Sequence, residues 1–164
     1  MSPPGHILIV CTANVCRSPM AARLLQHALA GQPPPLSSLH VVSAGLAAAH
    51  GQTATENSVV ALKKVGVDLS AHQSQPLTQP LLDGALAVLC MTETHRAMIQ
   101  LNFARVPRHI YLFREFMDDT SELEIPDPYG MPYACYESCR DSMVEAIPSL
   151  LNFFRKLADG SDGR

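Results

Sequence analysis

Four short apolar runs punctuate the chain: His6–Val10, Leu39–Ser43, Leu86–Met91 and His109–Leu112. Each is too short for a buried helix and too continuous for a strand with one wet face, so each predicts a strand covered on both sides. Between them the pattern changes period. Pro19–Ala30 reads as a first helix, and Pro33-Pro34-Pro35 behind it cannot continue one. Thr55–Val65 carries apolar residues at 59, 60, 62 and 65 and runs into Gly66, a residue suited to a C-cap. Thr92–Leu101 opens on a side chain that can accept from its own first turn. Ala134–Leu157 aligns Met143, Ile147, Leu150, Leu151 and Phe154 on one face, with Pro148 expected to bend it. Strands alternating with helices predict an α/β fold: a four-stranded parallel sheet flanked by helices in three layers.

Length and composition fit a single domain over residues 1–164. With 164 residues, 47% of them hydrophobic, the chain can fill one core and is too short for two ordinary domains. Residues 1–5 and the polar tail 159–164 are expected to fray. No apolar run reaches the length of a membrane span, and Met1–Gly5 lacks the features of a secretory signal. A net charge of −3 with scattered Lys and Arg argues against a nucleic-acid or anionic-membrane surface. The five cysteines are an odd count without paired CxxC spacing, which suits a reducing, cytoplasmic compartment. Cys135-x3-Cys139 falls on the last helical pattern with no companion pair, so core or surface thiols are expected there rather than a metal site.

The stretch that carries chemistry is Cys11-Thr12-Ala13-Asn14-Val15-Cys16-Arg17-Ser18-Pro19, set between the first predicted strand and the first predicted helix. Strand, short loop and helix start form the geometry in which backbone N–H groups converge on an anion. Cys11 falls at the base of that nest. Loop amides, helix N-terminus and the Arg17 guanidinium favour negative charge, and such a cradle favours the thiolate, the nucleophilic form of cysteine. The same cradle would hold a tetrahedral oxyanion through N–H bonds and a bidentate arginine fork. In an open parallel sheet ligands bind beyond the carboxyl ends of the strands. The other loops to search are therefore Ser43-Ala44-Gly45, Met91-Thr92 and Arg114–Met131.

The last of these contains Ile125-Pro126-Asp127-Pro128-Tyr129-Gly130. Phosphoryl transfer to a thiolate leaves a poor leaving group that needs a proton, and the same carboxylate can afterwards activate water. Asp127 is the candidate, its carboxyl oriented by the flanking prolines.

Cys-x5-Arg-Ser about ten residues into the chain, with Asn14, Cys16 and Pro19 inside it, resembles the low-molecular-weight protein-tyrosine phosphatase family, and the resemblance spans about residues 6–157. It implies a metal-free, cofactor-free phosphatase working through a phosphocysteine intermediate. Cys11 is then the nucleophile, Arg17 the phosphate-binding cation and Asp127 the acid and base. Ser18 bonds the Cys11 sulfur and eases its departure, with N-capping of the helix as its other reading. Thr12, Ala13, Asn14, Val15 and Cys16 line the substrate pocket, and Tyr129 forms an aromatic wall. Asn14, in the left-handed conformation that Asn tolerates, is implied to be supported by Ser43 and by His72 of Asp68-Leu-Ser-Ala-His72. Cys16 is placed to capture an oxidised Cys11 as a reversible disulfide. The implied partner is a phosphorylated protein or peptide that serves as substrate; the oligomeric state is left open, with a monomer as the expectation.

The substrate has two readings. Ser43-Ala-Gly, Asp68–Thr78 and His109–Phe116 look like the bacterial branch that includes protein-arginine phosphatases. Those relatives carry Thr just before the second loop cysteine, where tyrosine enzymes carry an aliphatic residue and this chain has Val15, which favours phosphotyrosine. Met131 departs from the family, which often has a second glycine there. Arsenate reductases share the loop but relay oxidation through two further cysteines. Here Cys90 fits the first place, and the second would fall at Ala97. A non-catalytic phosphate-binding module would have no use for Cys11, Arg17 and Asp127 together.

Overall fold

The computed structural model describes residues 5–160. Four parallel strands, β1 (His6–Cys11), β2 (Val41–Gly45), β3 (Ala85–Cys90) and β4 (Ile110–Leu112), form one sheet in the order β2-β1-β3-β4. Among the described residues five α-helices accompany them: α1 (Arg17–Ala30), α2 (Glu56–Lys63), α3 (Gln79–Asp83), α4 (Glu93–Asn102) and α5 (Tyr133–Ala158).

The two-sided burial inferred from the continuous apolar runs is most evident in β1. Ile7, Ile9 and Cys11 pack into a core shared with Met20, Leu25 and Leu29 of α1 and Met143, Leu150 and Phe154 of α5. Leu8 and Val10 point the other way, among Leu82, Val88, Cys90 and Ile99. Ile7 to Val10 are all fully buried, each aliphatic side chain contributing about 1.5–3 kcal/mol relative to exposure. Because β2 and β3 lie on opposite sides of β1, the strand order reverses at the carboxyl end of β1, where a parallel sheet opens a crevice.

Several boundaries move for identifiable reasons. Leu39, expected in a strand, still belongs to a 3₁₀ turn over Leu36–Ser38, its N–H closing onto Leu36 O. Pairing therefore starts at Val41, opposite Ile7, and runs on to Gly45, opposite Cys11. Ser43-Ala44-Gly45 is thus part of β2 rather than the loop after it. Helix α3 was not anticipated from five residues containing Pro80, although Thr78 caps it by accepting from Leu81 N–H. Thr92 caps α4 as expected, accepting from His95 N–H. In α2 the buried face is Ser58, Ala61 and Leu62, with Val59 packed against the core; of the four apolar positions expected on this element, Val60 and Val65, the latter beyond the end of α2, are exposed. The helix ends earlier than expected, with Lys64 rather than Gly66 as its C-cap; Gly66 lies two residues further on in the turn, at φ 80°, a conformation that suits glycine. Helix α5 runs continuously through Pro148. The expected fraying of the termini falls largely outside the described residues; within them, Asp159 N–H still closes onto Arg155 O. Among the described residues no helix is long and apolar enough to cross a membrane.

Candidate active site

Residues 12–16 form the loop that turns β1 into α1. No side chain caps α1, which leaves its leading N–H groups available to an anion in the adjoining cavity. That cavity, of about 120 Å³, is lined by Cys11, the five loop residues Thr12 to Cys16, Arg17, Asp127 and Tyr129. Residues far apart in sequence, from the first loop and from the one after β4, thus meet at the crevice.

Cys11 is buried, its Sγ 2.9 Å from Ser18 Oγ. Ser18 lies inside α1 and does not cap it, which removes the N-cap reading and leaves the hydroxyl directed at the sulfur. Arg17 is buried and held by Ile125, donating from Nη1 to its carbonyl at 3.1 Å. Its Nη2 lies 3.6 Å from the Asp127 carboxylate. Asp127 also accepts from Tyr129 N–H at 3.1 Å, an Asx-type turn that fixes the Pro-Asp-Pro segment. Tyr129 stands at the cavity with 66% of its surface exposed, so its ring is not consumed in packing.

The loop is held from below by a polar network. Asn14 is fully buried at φ 59°. Its side-chain amide donates to Ser18 Oγ (2.8 Å) and Ser43 Oγ (2.9 Å) and accepts from Gln75 N–H (3.0 Å). His72 Nε2 donates to Asn14 O at 2.7 Å, and burial lowers the His72 pKa, partly offset by that bond. Gly45 faces the loop so closely that a Cβ there would lie 2.5 Å from Thr12 O and 3.0 Å from Asn14 N. Ser43 and Gly45 meet the loop only because β2 pairs with β1 through Cys11↔Gly45.

Cys16 lines the cavity, but its thiol also contacts Thr55 Oγ1 at 3.3 Å and Tyr136 Oη at 3.8 Å, and burial pushes its pKa up. Cys90, the last residue of β3, is fully buried and its thiol is pushed up to about 12, mainly by burial. A residue so disinclined to ionise is poorly suited to a thiol relay. All five cysteines are free; Cys139 is buried in the core and Cys135 half-buried on α5.

Five further residues at the site were not foreseen. Gln75 carries one Asn14 bond and a second, from Nε2, to Ser43 O; Thr55 and Tyr136 contact Cys16; Ile125 anchors Arg17; and His95 Nε2 lies 2.9 Å from Thr12 Oγ1. His95 is only 5% exposed, and burial, followed by the nearby Arg17 charge, lowers its pKa to about 4. None of the five stands out in sequence, since each acts through a contact between separate elements.

Fold and cavity together define a class: parallel α/β proteins with a cysteine-to-arginine loop lining a small cavity at the end of the first strand. The chain matches the family model described as low molecular weight phosphotyrosine protein phosphatase over residues 6–159, and it belongs to that family. Among its relatives is a protein-arginine-phosphatase of Geobacillus stearothermophilus, 37% identical over 147 residues, covering 90% of this chain and 94% of the relative. The low molecular weight protein-tyrosine-phosphatase Etp of Escherichia coli K12 is 33% identical over 135 residues, covering 81% and 83%. In structure, the YwlE arginine phosphatase of G. stearothermophilus superposes with a TM-score of 0.82 at 36% identity, covering 94% of this chain and 97% of that one. The low molecular weight protein tyrosine phosphatase of T. tengcongensis gives 0.80 at 32% identity, covering 90% and 97%.

Proposed function

We propose that this protein is a cysteine-dependent protein phosphatase that hydrolyses phosphotyrosine through a phosphocysteine intermediate. The observation that carries the reading is the convergence of Cys11, Arg17 and Asp127 on one small cavity at the carboxyl end of β1. The loop amides and Arg17 bind the phosphoryl dianion and stabilise charge on its equatorial oxygens. Cys11 attacks phosphorus in line while Asp127 protonates the departing phenolate oxygen. Asp127, now a carboxylate, takes a proton from water as it cleaves phosphocysteine. Sulfur leaves as a thiolate, eased by the Ser18 hydroxyl 2.9 Å away.

The preference for phosphotyrosine rests on Val15, whose side chain gives the cavity an aliphatic wall, and on the exposed ring of Tyr129 at its mouth. A phosphoguanidinium would find no hydroxyl at position 15. One observation favours phosphoarginine instead: relatives named protein-arginine phosphatases reach 37% identity with this chain. Oxidation of Cys11 and its capture by Cys16 form a second, regulatory reading of the same loop, supported by both residues lining one cavity. Five free cysteines suit the reducing cytoplasm in which such a switch operates.

The test is kcat/KM under reducing conditions on a phosphotyrosine and a phosphoarginine peptide, with Cys11→Ser as blank. A preference for phosphotyrosine supports the Val15 argument, the opposite preference assigns the arginine substrate, and activity on neither refutes the phosphatase reading. Cys11→Ser abolishes turnover while retaining phosphate binding, and Asp127→Asn lowers kcat on phenyl phosphate far more than it changes KM. If both variants lose binding equally, the roles are misassigned.

A further inference from the structure

Helix α4 lies outside the phosphate loop and the acid loop, yet its first turn touches both. On one side, His95 reaches Thr12, the residue next to Cys11, at 2.9 Å. His95 Nδ1 is buried without a partner among the described residues, and a buried N–H lacking an acceptor is the costlier orphan. The proton therefore belongs on Nε2, which donates to Thr12 Oγ1. Thr12 is held from a second direction by Ala47 N–H on its carbonyl at 2.9 Å. On the other side, Glu124 Oε2 accepts from Glu93 N–H, the first amide of α4, at 2.7 Å. A carboxylate at a helix N-terminus is favoured both by the hydrogen bond and by the helix dipole. Ile125, next in sequence and fully buried, donates its N–H to Met91 O at 3.0 Å and accepts from Arg17. Two residues further on is Asp127.

We propose that the first turn of α4 is a positioning clamp that fixes the acid loop relative to the phosphate loop, through Glu124 on the Glu93 amide and His95 on Thr12. The clamp rests on the reading of Cys11 and Asp127 given above. Neither His95 nor Glu124 touches the reacting atoms. His95 acts on phosphate binding through Thr12, whereas Glu124 acts on proton delivery through the backbone leading to Asp127. The two arms therefore fail differently. A displaced acid slows a substrate whose leaving group needs a proton and spares one whose leaving group departs as a stable anion. A loosened phosphate loop weakens every phosphate-like ligand alike.

The experiment compares phenyl phosphate with p-nitrophenyl phosphate, and measures inhibition by orthovanadate, for full-length wild type and variants. For Glu124→Ala, kcat on phenyl phosphate falls about tenfold while p-nitrophenyl phosphate hydrolysis and orthovanadate inhibition stay within about twofold. Glu124→Gln, which keeps the acceptor, restores most of the loss. Thr12→Val and His95→Leu each weaken orthovanadate about fivefold and slow both esters equally, and the double variant is no worse than either. Should His95→Leu not fold, Thr12→Val breaks the same bond from its exposed side. The clamp is overturned if Glu124→Ala slows both esters equally or neither, or if Thr12→Val leaves orthovanadate inhibition unchanged. Wild-type protein that hydrolyses neither ester overturns the reading of Cys11 and Asp127 and the clamp with it.

Discussion

Replacing Asn14 tests whether the phosphate loop is held by side-chain bonds, by backbone conformation, or by both. The residue is fully buried, makes three side-chain hydrogen bonds and sits at φ 59°. At about 1 kcal/mol net per bond, losing the amide costs about 3 kcal/mol. Alanine must also adopt the left-handed region without the local bonding that helps Asn there, adding about 1 kcal/mol. Asn14→Ala should therefore destabilise by about 4 kcal/mol, and Asn14→Gly, free of the steric penalty, by about 3 kcal/mol. For a chain of 164 residues, at about 2–4 °C per kcal/mol, this corresponds to a Tm lowered by about 12 °C and 9 °C respectively. Thermal unfolding followed by circular dichroism measures both, and kcat/KM on p-nitrophenyl phosphate reports the loop. If alanine and glycine are equally tolerated, or glycine is the worse, the conformational argument fails. If both cost less than about 1 kcal/mol, the network does not hold the loop.

Three other outcomes are expected. Gly45→Ala drives a Cβ into Thr12 O and Asn14 N, both backbone atoms that cannot swing aside, so it should cost about 1–3 kcal/mol and lower kcat/KM more than a surface substitution; unchanged Tm and activity would refute the close approach. His95 binds a proton near pH 6.5 when unfolded but only near pH 4 when folded, so the unfolded state holds more protons between those values. Its contribution, on the order of 3 kcal/mol, is complete above about pH 6.5 and lost as pH falls toward 4. His95→Gln should flatten that part of the stability curve, and identical curves would contradict it. Mild peroxide should convert Cys11 to sulfenic acid and then, with loss of water, to a disulfide with Cys16; mass spectrometry finding sulfinic Cys11 and no linked peptide would reject the switch.

The alternation of buried strands and helices is legible in the order of residues, because continuous apolar runs and helical periodicity are local consequences of what each segment must bury. The candidate loop was legible too, since Cys11 through Pro19 is one contiguous strand-loop-helix unit whose reactive side chains are adjacent in sequence. Asp127 was legible as a carboxyl between two prolines, but its approach to Arg17 was not, because a loop after the fourth strand reaches the first only through the sheet order β2-β1-β3-β4. The tertiary structure alone decided the register that sets Gly45 against Cys11 and brings Ser43 to Asn14. It alone placed His95, Gln75, Thr55 and Ile125 around the loop. Those residues bear no periodicity or spacing of their own, for a hydrogen bond between distant elements depends on how the elements pack and leaves no mark on the order of residues within either one.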